Sequence, residues 1–191
     1  YNGTRRTRNP AGLAGGWVHN YSCTAYNIAA PQAGLGETTP AQMASMLVAT
    51  TAAINYYNGS QRNAKNWLVT ALIAKWGVDQ LTKNGVSVNL GKDSLQFVKQ
   101  PNGVFTPPAS CSATLTQSNS AFSLLMRHAN RFNFSATGLL TNIVDPYGQS
   151  LNLAYNSSNL VQTVTDWKNR TLTFSYTGGQ LTSVSDNSTP S

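Results

Sequence analysis

The feature that most constrains the fold is a unit of alternating hydrophobicity that occurs three times in tandem at the C-terminal end. The units span 131–149, 150–170 and 171–191. Each begins with alternating apolar and polar residues, turns through Gly, Asn or Ser, and continues into a second alternating segment. That second segment ends in an aspartate, and Asp145, Asp166 and Asp186 lie 21 and 20 residues apart. One hairpin per unit at this period indicates stacked repeats, which usually form a scaffold and not a catalytic pocket.

The region before these units also predicts antiparallel strands. Residues 86–99 alternate in hydrophobicity around a turn at Gly91-Lys92-Asp93. The segments 113–116 and 122–126 predict a further hairpin. Hairpins at even spacing, with turn residues between them, indicate one continuous antiparallel sheet over 86–191.

Residues 39–85 have a helical pattern instead. Thr39 suits an N-cap, Pro40 the first helical position, and Gln42 completes a capping box. The helix that follows is predicted to stop at Asn58-Gly59. Its predicted apolar stripe consists of Met43, Met46, Leu47, Thr50, Ile54 and Tyr57.

A second apolar stripe predicts another helix that ends at Gly77, with one more turn over 78–83. Trp67 and Trp76 lie close to this stripe, so we expect both to anchor the packing of the helices. The predicted fold is therefore mainly β, with an α-helical insert of two or three helices. We divide it into an N-terminal opening segment (1–38), the helical insert (39–85) and the antiparallel sheet (86–191).

The opening segment predicts a short strand over 17–21, in which Trp17, His19 and Tyr21 share one face. We expect this face to pack in a core, with His19 as a structural histidine.

The composition is polar but poor in charge. Charged residues are 10% of the chain, well below the usual quarter, and Thr, Ser, Asn and Gln replace them. The net charge is +7, and Arg5, Arg6 and Arg8 cluster near the start. This cluster is either an arm for an anionic surface or nucleic acid, or a solvated edge. No second basic cluster accompanies it, which favours the solvated edge and predicts no nucleic-acid partner.

The sequence lacks the motifs of common catalytic sites. It contains no Gly-x-Ser-x-Gly and no phosphate-binding loop, and neither His19 nor His128 has a plausible nucleophile pattern around it. Cys23 and Cys111 lie 88 residues apart, so they form either a disulfide that closes a long loop or two unrelated thiols. Neither cysteine has a partner at metal-ligand spacing. We therefore expect no catalytic residue, metal or cofactor.

The repeat aspartates are expected to end strands or to accept backbone N–H bonds in turns. A calcium ladder is disfavoured, because each unit supplies only one carboxylate. The sequence contains no signal peptide and no transmembrane span. It begins at Tyr1 and stops within a repeat, which is typical of a fragment of a longer protein.

The opening residues and the repeated units together resemble RHS (rearrangement hotspot) proteins, also called YD-repeat proteins. Gly-Gly-Trp-Val-His-Asn-Tyr at 15–21 is similar to their opening motif, and Asp-Pro-Tyr-Gly at 145–148 begins a YD-like unit. The matching stretches are 1–3, 13–21, 145–155, 166–176 and 179–186. The resemblance covers roughly 1–26 and 94–191, whereas 39–83 departs from it.

This resemblance implies a curved antiparallel sheet of YD-type hairpins at the start of a hollow β-shell, in a secreted or bacterial cell-surface protein. In many bacterial members the shell encloses a toxin that a later self-cleaving segment frees, as in polymorphic toxins. Other members mediate cell contact or bind carbohydrate. This sequence contains neither a cleavage segment nor a toxin domain. We therefore expect a non-catalytic structural module, the N-terminal part of such a shell.

Two alternatives remain open. The first is a module that binds glycans or a cell surface through the surface aromatics Tyr147, Trp167 and Tyr176. The second is a self-assembling extracellular fibre subunit. The expected partner is a further YD repeat, or another chain, that pairs with the C-terminal sheet edge. Glycans are a further candidate partner, whereas nucleic acid and membrane insertion are not expected.

Overall fold

The computed structural model describes residues 12–13, 17–28, 40–59, 63–100 and 102–187. These residues form twelve strands in two antiparallel sheets and two helices, so the prediction of a mainly β fold with a helical insert is confirmed. The prediction of one continuous sheet is wrong. The arginine cluster at residues 5–8 and the helix cap Thr39 lie outside the described residues.

The first sheet has four strands in the order β1-β2-β3-β4. They are β1 (Cys23–Ile28), β2 (Gly85–Leu90), β3 (Asp93–Lys99) and β4 (Phe105–Thr106). Val86 and Val88 are completely buried, and Ser87 and Asn89 between and after them are buried too. The Asn89 side-chain amide donates to Thr24 Oγ1 at 3.1 Å. A strand buried on both faces suits the centre of a sheet, which is where β2 lies.

The N-terminal segment joins this sheet later than predicted. Residues 17–19 are irregular and Asn20-Tyr21 form a turn, so the predicted strand over 17–21 is wrong. The strand starts instead at Cys23.

The second sheet is an eight-stranded meander in which neighbouring strands follow one another along the chain. Its strands are β5 (Thr114–Ser118), β6 (Ala121–Leu125), β7 (Arg131–Phe134), β8 (Leu140–Val144), β9 (Ser150–Tyr155), β10 (Val161–Asp166), β11 (Thr171–Thr177) and β12 (Gln180–Asp186). The three sequence units therefore correspond to three hairpins, β7–β8, β9–β10 and β11–β12. The prediction of one hairpin per unit is confirmed.

The two faces of the second sheet differ in chemistry. Leu124, Leu140 and Phe174 are among the buried residues of the apolar face. A row of uncharged polar residues crosses the opposite face in register, consisting of Thr116, Ser123, Asn133, Asn142, Asn152, Thr165 and Thr171. Asn133 accepts from Ser123 Oγ at 2.7 Å and donates to Asn142 Oδ1 at 2.6 Å. This face accounts for much of the polar but uncharged composition.

The insert consists of α1 (Pro40–Tyr57) and α2 (Ala64–Thr82). The Asn63 side chain caps α2 by accepting from the Asn66 N–H at 2.9 Å. The predicted stop at Gly77 is wrong, because α2 continues through it. A Cβ at Gly77 would lie 2.6 Å from Leu47 Cδ1, so the glycine serves the contact between the helices.

The predicted packing role of the two tryptophans is also wrong. Trp67 is 56% exposed and Trp76 is 60% exposed. Met46 and Ile54 of the predicted α1 stripe are more than half exposed as well.

The chain divides into two compact units. The first contains residues 1–26, 87–97 and 102–191, and the second contains 27–86 and 98–101. The second sheet lies in the first unit and both helices lie in the second. No helix among the described residues is long and apolar enough to cross a membrane.

Candidate functional site

An N-terminal strap, consisting of the described residues within 12–26, lies against the apolar face of the second sheet. The Gly12 carbonyl accepts from the Leu181 N–H of β12 at 2.6 Å. Further along, the ring of Phe174 in β11 lies 5.5 Å from that of His19 and 6.1 Å, edge-on, from that of Tyr21. The strap therefore contacts both strands of the last hairpin.

The strap then reaches the β7–β8 turn before it enters the first sheet. Thr24 forms an isolated antiparallel bridge with Leu139, and the Ala25 N–H donates to the Gly138 carbonyl at 2.9 Å. Gly138 has a positive φ of 84°, and a Cβ at this position would overlap the Ala25 carbonyl oxygen. The close crossing of strap and turn therefore requires glycine here.

Two tyrosines at equivalent positions of successive repeats form hydrogen bonds to the backbone of the second sheet. The Tyr155 hydroxyl donates to the Leu140 carbonyl at 2.8 Å, and the Tyr176 hydroxyl donates to the Val161 carbonyl at 2.8 Å. Burial raises the pKa of both phenols, and for Tyr155 the nearby Cys23 thiol adds to the rise. Tyr176 is thus half-buried and bonded into the sheet, so its prediction as a surface binding residue is not supported.

The other two predicted surface aromatics are exposed in turns at one end of the strands of the second sheet. Tyr147, in the β8–β9 turn, is 89% exposed, and Trp167, in the β10–β11 turn, is 51% exposed. These turns are two strands apart, which corresponds to about 10 Å at the usual strand spacing. The Lys168 ammonium lies 4.6 Å from the Trp167 ring centroid, a cation–π contact.

The repeat aspartates hold these two turns in shape. Asp145 Oδ1 accepts from the backbone N–H groups of Tyr147 and Gln149, both at 2.8 Å. Asp166 Oδ1 accepts in the same way from Lys168 and Arg170, at 2.8 and 2.9 Å. The prediction that these aspartates accept N–H bonds in turns is confirmed for both, and Asp186 ends β12 as the alternative prediction states.

The carboxyl of Asp166 has a further partner in Arg170. The Arg170 Nε donates to Asp166 Oδ2 at 2.7 Å. Desolvation acts to raise the pKa of Asp166, but the hydrogen bonds from Arg170 and Lys168 outweigh it and hold this pKa below its usual value. The carboxylate is therefore a fixed part of the turn.

A groove of about 660 Å³ lies beside the Trp167 turn. Its lining includes the apolar residues Tyr21, Leu151 and Leu172 and the charged residues Lys168 and Asp186. Its volume is in the range of small-ligand sites. The arrangement can hold an amphiphilic group, with the apolar part on the sheet and polar atoms at the rim.

His19 and Cys23 line a small cavity of about 30 Å³ beneath the strap. His19 Nδ1 is buried and has no hydrogen-bond partner among the described residues. Burial lowers the pKa of this imidazole, so its neutral form is favoured. A cavity of this size has room for a water molecule.

Both cysteines are free thiols in the structure, so the candidate disulfide between Cys23 and Cys111 is not present. The Cys23 thiol is buried and donates to the Asn20 carbonyl at 3.3 Å. Burial raises the pKa of Cys23 to about 11, which disfavours the reactive thiolate.

Within the part of the chain that the structure describes, no strand pairs with the outer side of β12. The Asn187 N–H donates to the Thr171 carbonyl at 3.1 Å, and this bond shows which residue pairs of the β11–β12 ladder are hydrogen-bonded. Because such pairs alternate along antiparallel strands, Ser183 and Ser185 face β11. The backbone groups of Val184 and Asp186 therefore face away from it. The strap engages this outer side at Leu181.

Neither a scan against protein-family models nor a search of curated proteins found a match for this chain. Within the described residues, no group of three His, Cys, Asp or Glu side chains could hold a metal ion. The strap and its contacts with the β7–β8 turn and with β11 and β12 were not predicted from the sequence. The tyrosine bonds could have been found, since Tyr155 and Tyr176 share the 21-residue period of Asp145 and Asp166.

Proposed function

We propose that this chain is a non-catalytic structural module, the N-terminal part of the β-shell of a secreted or cell-surface RHS/YD-repeat protein. The support comes from three successive hairpins, from the backbone hydrogen bonds that the turns at 135–139 and 156–160 share, and from the strap across the apolar face of the sheet. The observation that carries the proposal is the outer side of β12, where Val184 and Asp186 direct backbone groups away from the sheet.

An unpaired strand edge is a template for another strand. In a shell of repeats, the next hairpin occupies that position and continues the antiparallel meander. The strap already uses the N–H of Leu181, so the incoming strand would pair with the part of β12 beyond it. A following repeat of the same parent chain, or a second chain, supplies that strand.

Proline variants test this pairing with a matched control. The probe is a labelled peptide with the sequence of residues 150–170, one repeat unit, added to the full chain. Val184→Pro removes an outward N–H and leaves the β11 ladder intact, because proline is tolerated where the N–H faces solvent. We expect the peptide to bind the unmodified chain and to bind Val184→Pro at least tenfold more weakly.

Gln117→Pro is the control, since the Gln117 N–H faces away from β6 and β5 is the opposite edge strand of the same sheet. We expect this variant to bind the peptide as the unmodified chain does. Equal peptide affinity of the unmodified chain and Val184→Pro would overturn the proposal, as would specific substrate turnover by the chain.

A second candidate function is glycan or cell-surface binding. It is favoured by Tyr147 and Trp167, which are exposed in neighbouring turns at one end of the strands of the second sheet. Aromatic side chains two strand spacings apart suit alternate sugar rings of one chain. A glycan array tests it: binding that Trp167→Ala and Tyr147→Ala each reduce, and that Tyr56→Ala on α1 leaves unchanged, would support this function. No binding above background would remove it.

A further inference from the structure

The two helices direct most of their large apolar side chains outward. Of the fifteen large hydrophobic residues that are exposed among the described residues, nine lie on α1 and α2. These nine are Met46, Ile54, Tyr56, Tyr57, Trp67, Leu68, Val69, Leu72 and Trp76. Leu68, Leu72 and Trp76 follow one another at every fourth position on one side of α2, and we call this side the apolar face of the helices. Exposed apolar surface on this scale usually marks an interaction site.

Small residues of α2 let the two helices approach closely. Thr70 and Gly77 are the buried positions of α2, and Ala44 and Thr51 of α1 are half-buried. The hydroxyls of Thr51 and Thr70 donate to the carbonyls of their own helices, at 2.7 and 2.9 Å. Leu47 of α1 packs against Gly77 in this contact, whereas nine large apolar residues of the two helices remain exposed.

The charges near this face are mostly positive. Helix α1 carries no charged residue, and the sequence from Pro40 to Lys83 contains Asp79 as its one acid. Asp79 pairs with Lys75 at 2.7 Å. Lys65 and Lys83 are exposed. An apolar face flanked by lysines complements a surface with an apolar interior and anionic groups at its boundary.

The aromatic residues of the helices also favour a lipid surface. The exposed residues of the two helices include two tryptophans and two tyrosines, Trp67, Trp76, Tyr56 and Tyr57. These side chains combine an apolar ring with a polar atom and are enriched where hydrocarbon meets water. A second copy of the chain is a poorer fit, because a self-facing contact would bring Lys65 close to the lysines of an identical face.

We propose that the apolar face of the helices adsorbs to the surface of an anionic lipid bilayer, with both helices lying in the plane of the interface. Leu68, Leu72 and Trp76 enter the boundary of the acyl chains, while Lys65 and Lys83 extend to the head groups. Adsorption of this kind needs no helix that spans the bilayer. The proposal does not rest on the shell function.

Vesicle co-sedimentation of the full chain tests the proposal. One set of vesicles contains phosphatidylglycerol and phosphatidylcholine, and the other contains phosphatidylcholine alone. We expect stronger binding to the anionic vesicles, with a blue shift of tryptophan emission. The double variant Leu68→Glu/Leu72→Glu should bind at least tenfold more weakly, whereas Val104→Glu, an equally exposed position outside the helices, should bind as the unmodified chain does.

Lys65→Gln separates the electrostatic part of the binding. Loss of one lysine near the surface should weaken binding to anionic vesicles about fivefold and leave binding to neutral vesicles unchanged. Far-ultraviolet circular dichroism of each variant checks that the helices persist. Equal vesicle binding by the folded double variant would overturn the proposal. So would dimer formation in light scattering without any vesicle binding, which would assign the face to a second copy.

Discussion

The Tyr176 hydroxyl, near the end of β11, donates a 2.8 Å hydrogen bond to the carbonyl of Val161, at the start of the adjacent strand β10. Tyr155 makes the same bond to Leu140 one unit earlier. The repeat therefore conserves a specific tertiary contact within this chain as well as a pattern of hydrophobicity. Each tyrosine ties the end of the first strand of its hairpin to the start of the second strand of the hairpin before it.

We expect Tyr155→Phe to destabilise the chain by about 1–2 kcal/mol, because it leaves the Leu140 carbonyl without this donor while it retains the ring. Tyr176→Phe should have a smaller effect, since Tyr176 is less buried. Urea unfolding followed by tryptophan fluorescence measures both. Tyr147→Phe is the control, because its side chain is almost fully exposed. Equal stability of Tyr155→Phe and the unmodified chain would show that the hydroxyl bond is unimportant.

Two turn glycines with nearly the same backbone conformation form a matched pair. Gly138 has a φ of 84° and Gly148 a φ of 82°, but only Gly138 lies against the strap. Gly148→Ala should cost about 1–2 kcal/mol, the usual strain of a left-handed residue with a Cβ. Gly138→Ala should cost at least about 2 kcal/mol more, because its Cβ would overlap the Ala25 carbonyl. Equal losses in urea unfolding would argue against the crossing of strap and turn.

The lowered pKa of His19 predicts a dependence of stability on pH. The folded state binds fewer protons at His19 than the unfolded state does, so stability is greatest above the unfolded pKa of about 6.5. As the pH falls through this value, the unfolded imidazole takes up a proton first and stability declines. Between about pH 7.5 and pH 5.5, the free energy of unfolding should fall less in His19→Gln than in the unmodified chain.

His128→Gln is the control for this experiment, since His128 lies exposed in the β6–β7 turn. It should retain the pH dependence of the unmodified chain. A pH dependence that is the same in His19→Gln and in the unmodified chain would show that His19 is not the group responsible.

The two free thiols predict a biphasic reaction with a chromogenic disulfide reagent. Cys111 is half-buried and should react first. Cys23 is only 3% exposed and its pKa is raised to about 11, so it should react only as the chain opens. In denaturant, without any reductant, both thiols should react rapidly. If both cysteines remained unreactive in denaturant, the result would instead support the candidate disulfide between Cys23 and Cys111.

Local patterns were sufficient to predict the hairpins and the helix pair. The alternation around Asp145, Asp166 and Asp186 predicts hairpins that the structure contains, because strand and turn preferences act over a few residues. The start of α1 at Pro40 and its end before Asn58-Gly59 also follow from local cap chemistry. Such signals are carried by neighbouring residues and need no knowledge of the rest of the fold.

Non-local contacts account for the errors. The pairing of Thr24 with Leu139 joins residues 115 positions apart, so no local pattern reveals that the strap reaches the second sheet. At Gly77, the usual helix-ending preference is overridden by the close approach of Leu47. The outward position of Trp67 was missed because helical spacing shows which residues share a face, but not which face is packed.

The most direct test of the proposed shell function is backbone amide exchange along β12, measured by nuclear magnetic resonance with and without the peptide of residues 150–170. In the chain alone, we expect slow exchange at Ser183 and Ser185 and fast exchange at Val184 and Asp186. With the peptide, Val184 and Asp186 should become protected while the other two change little. Protection of all four amides in the dilute chain alone, or no change on adding the peptide, would contradict an open edge that accepts the next repeat.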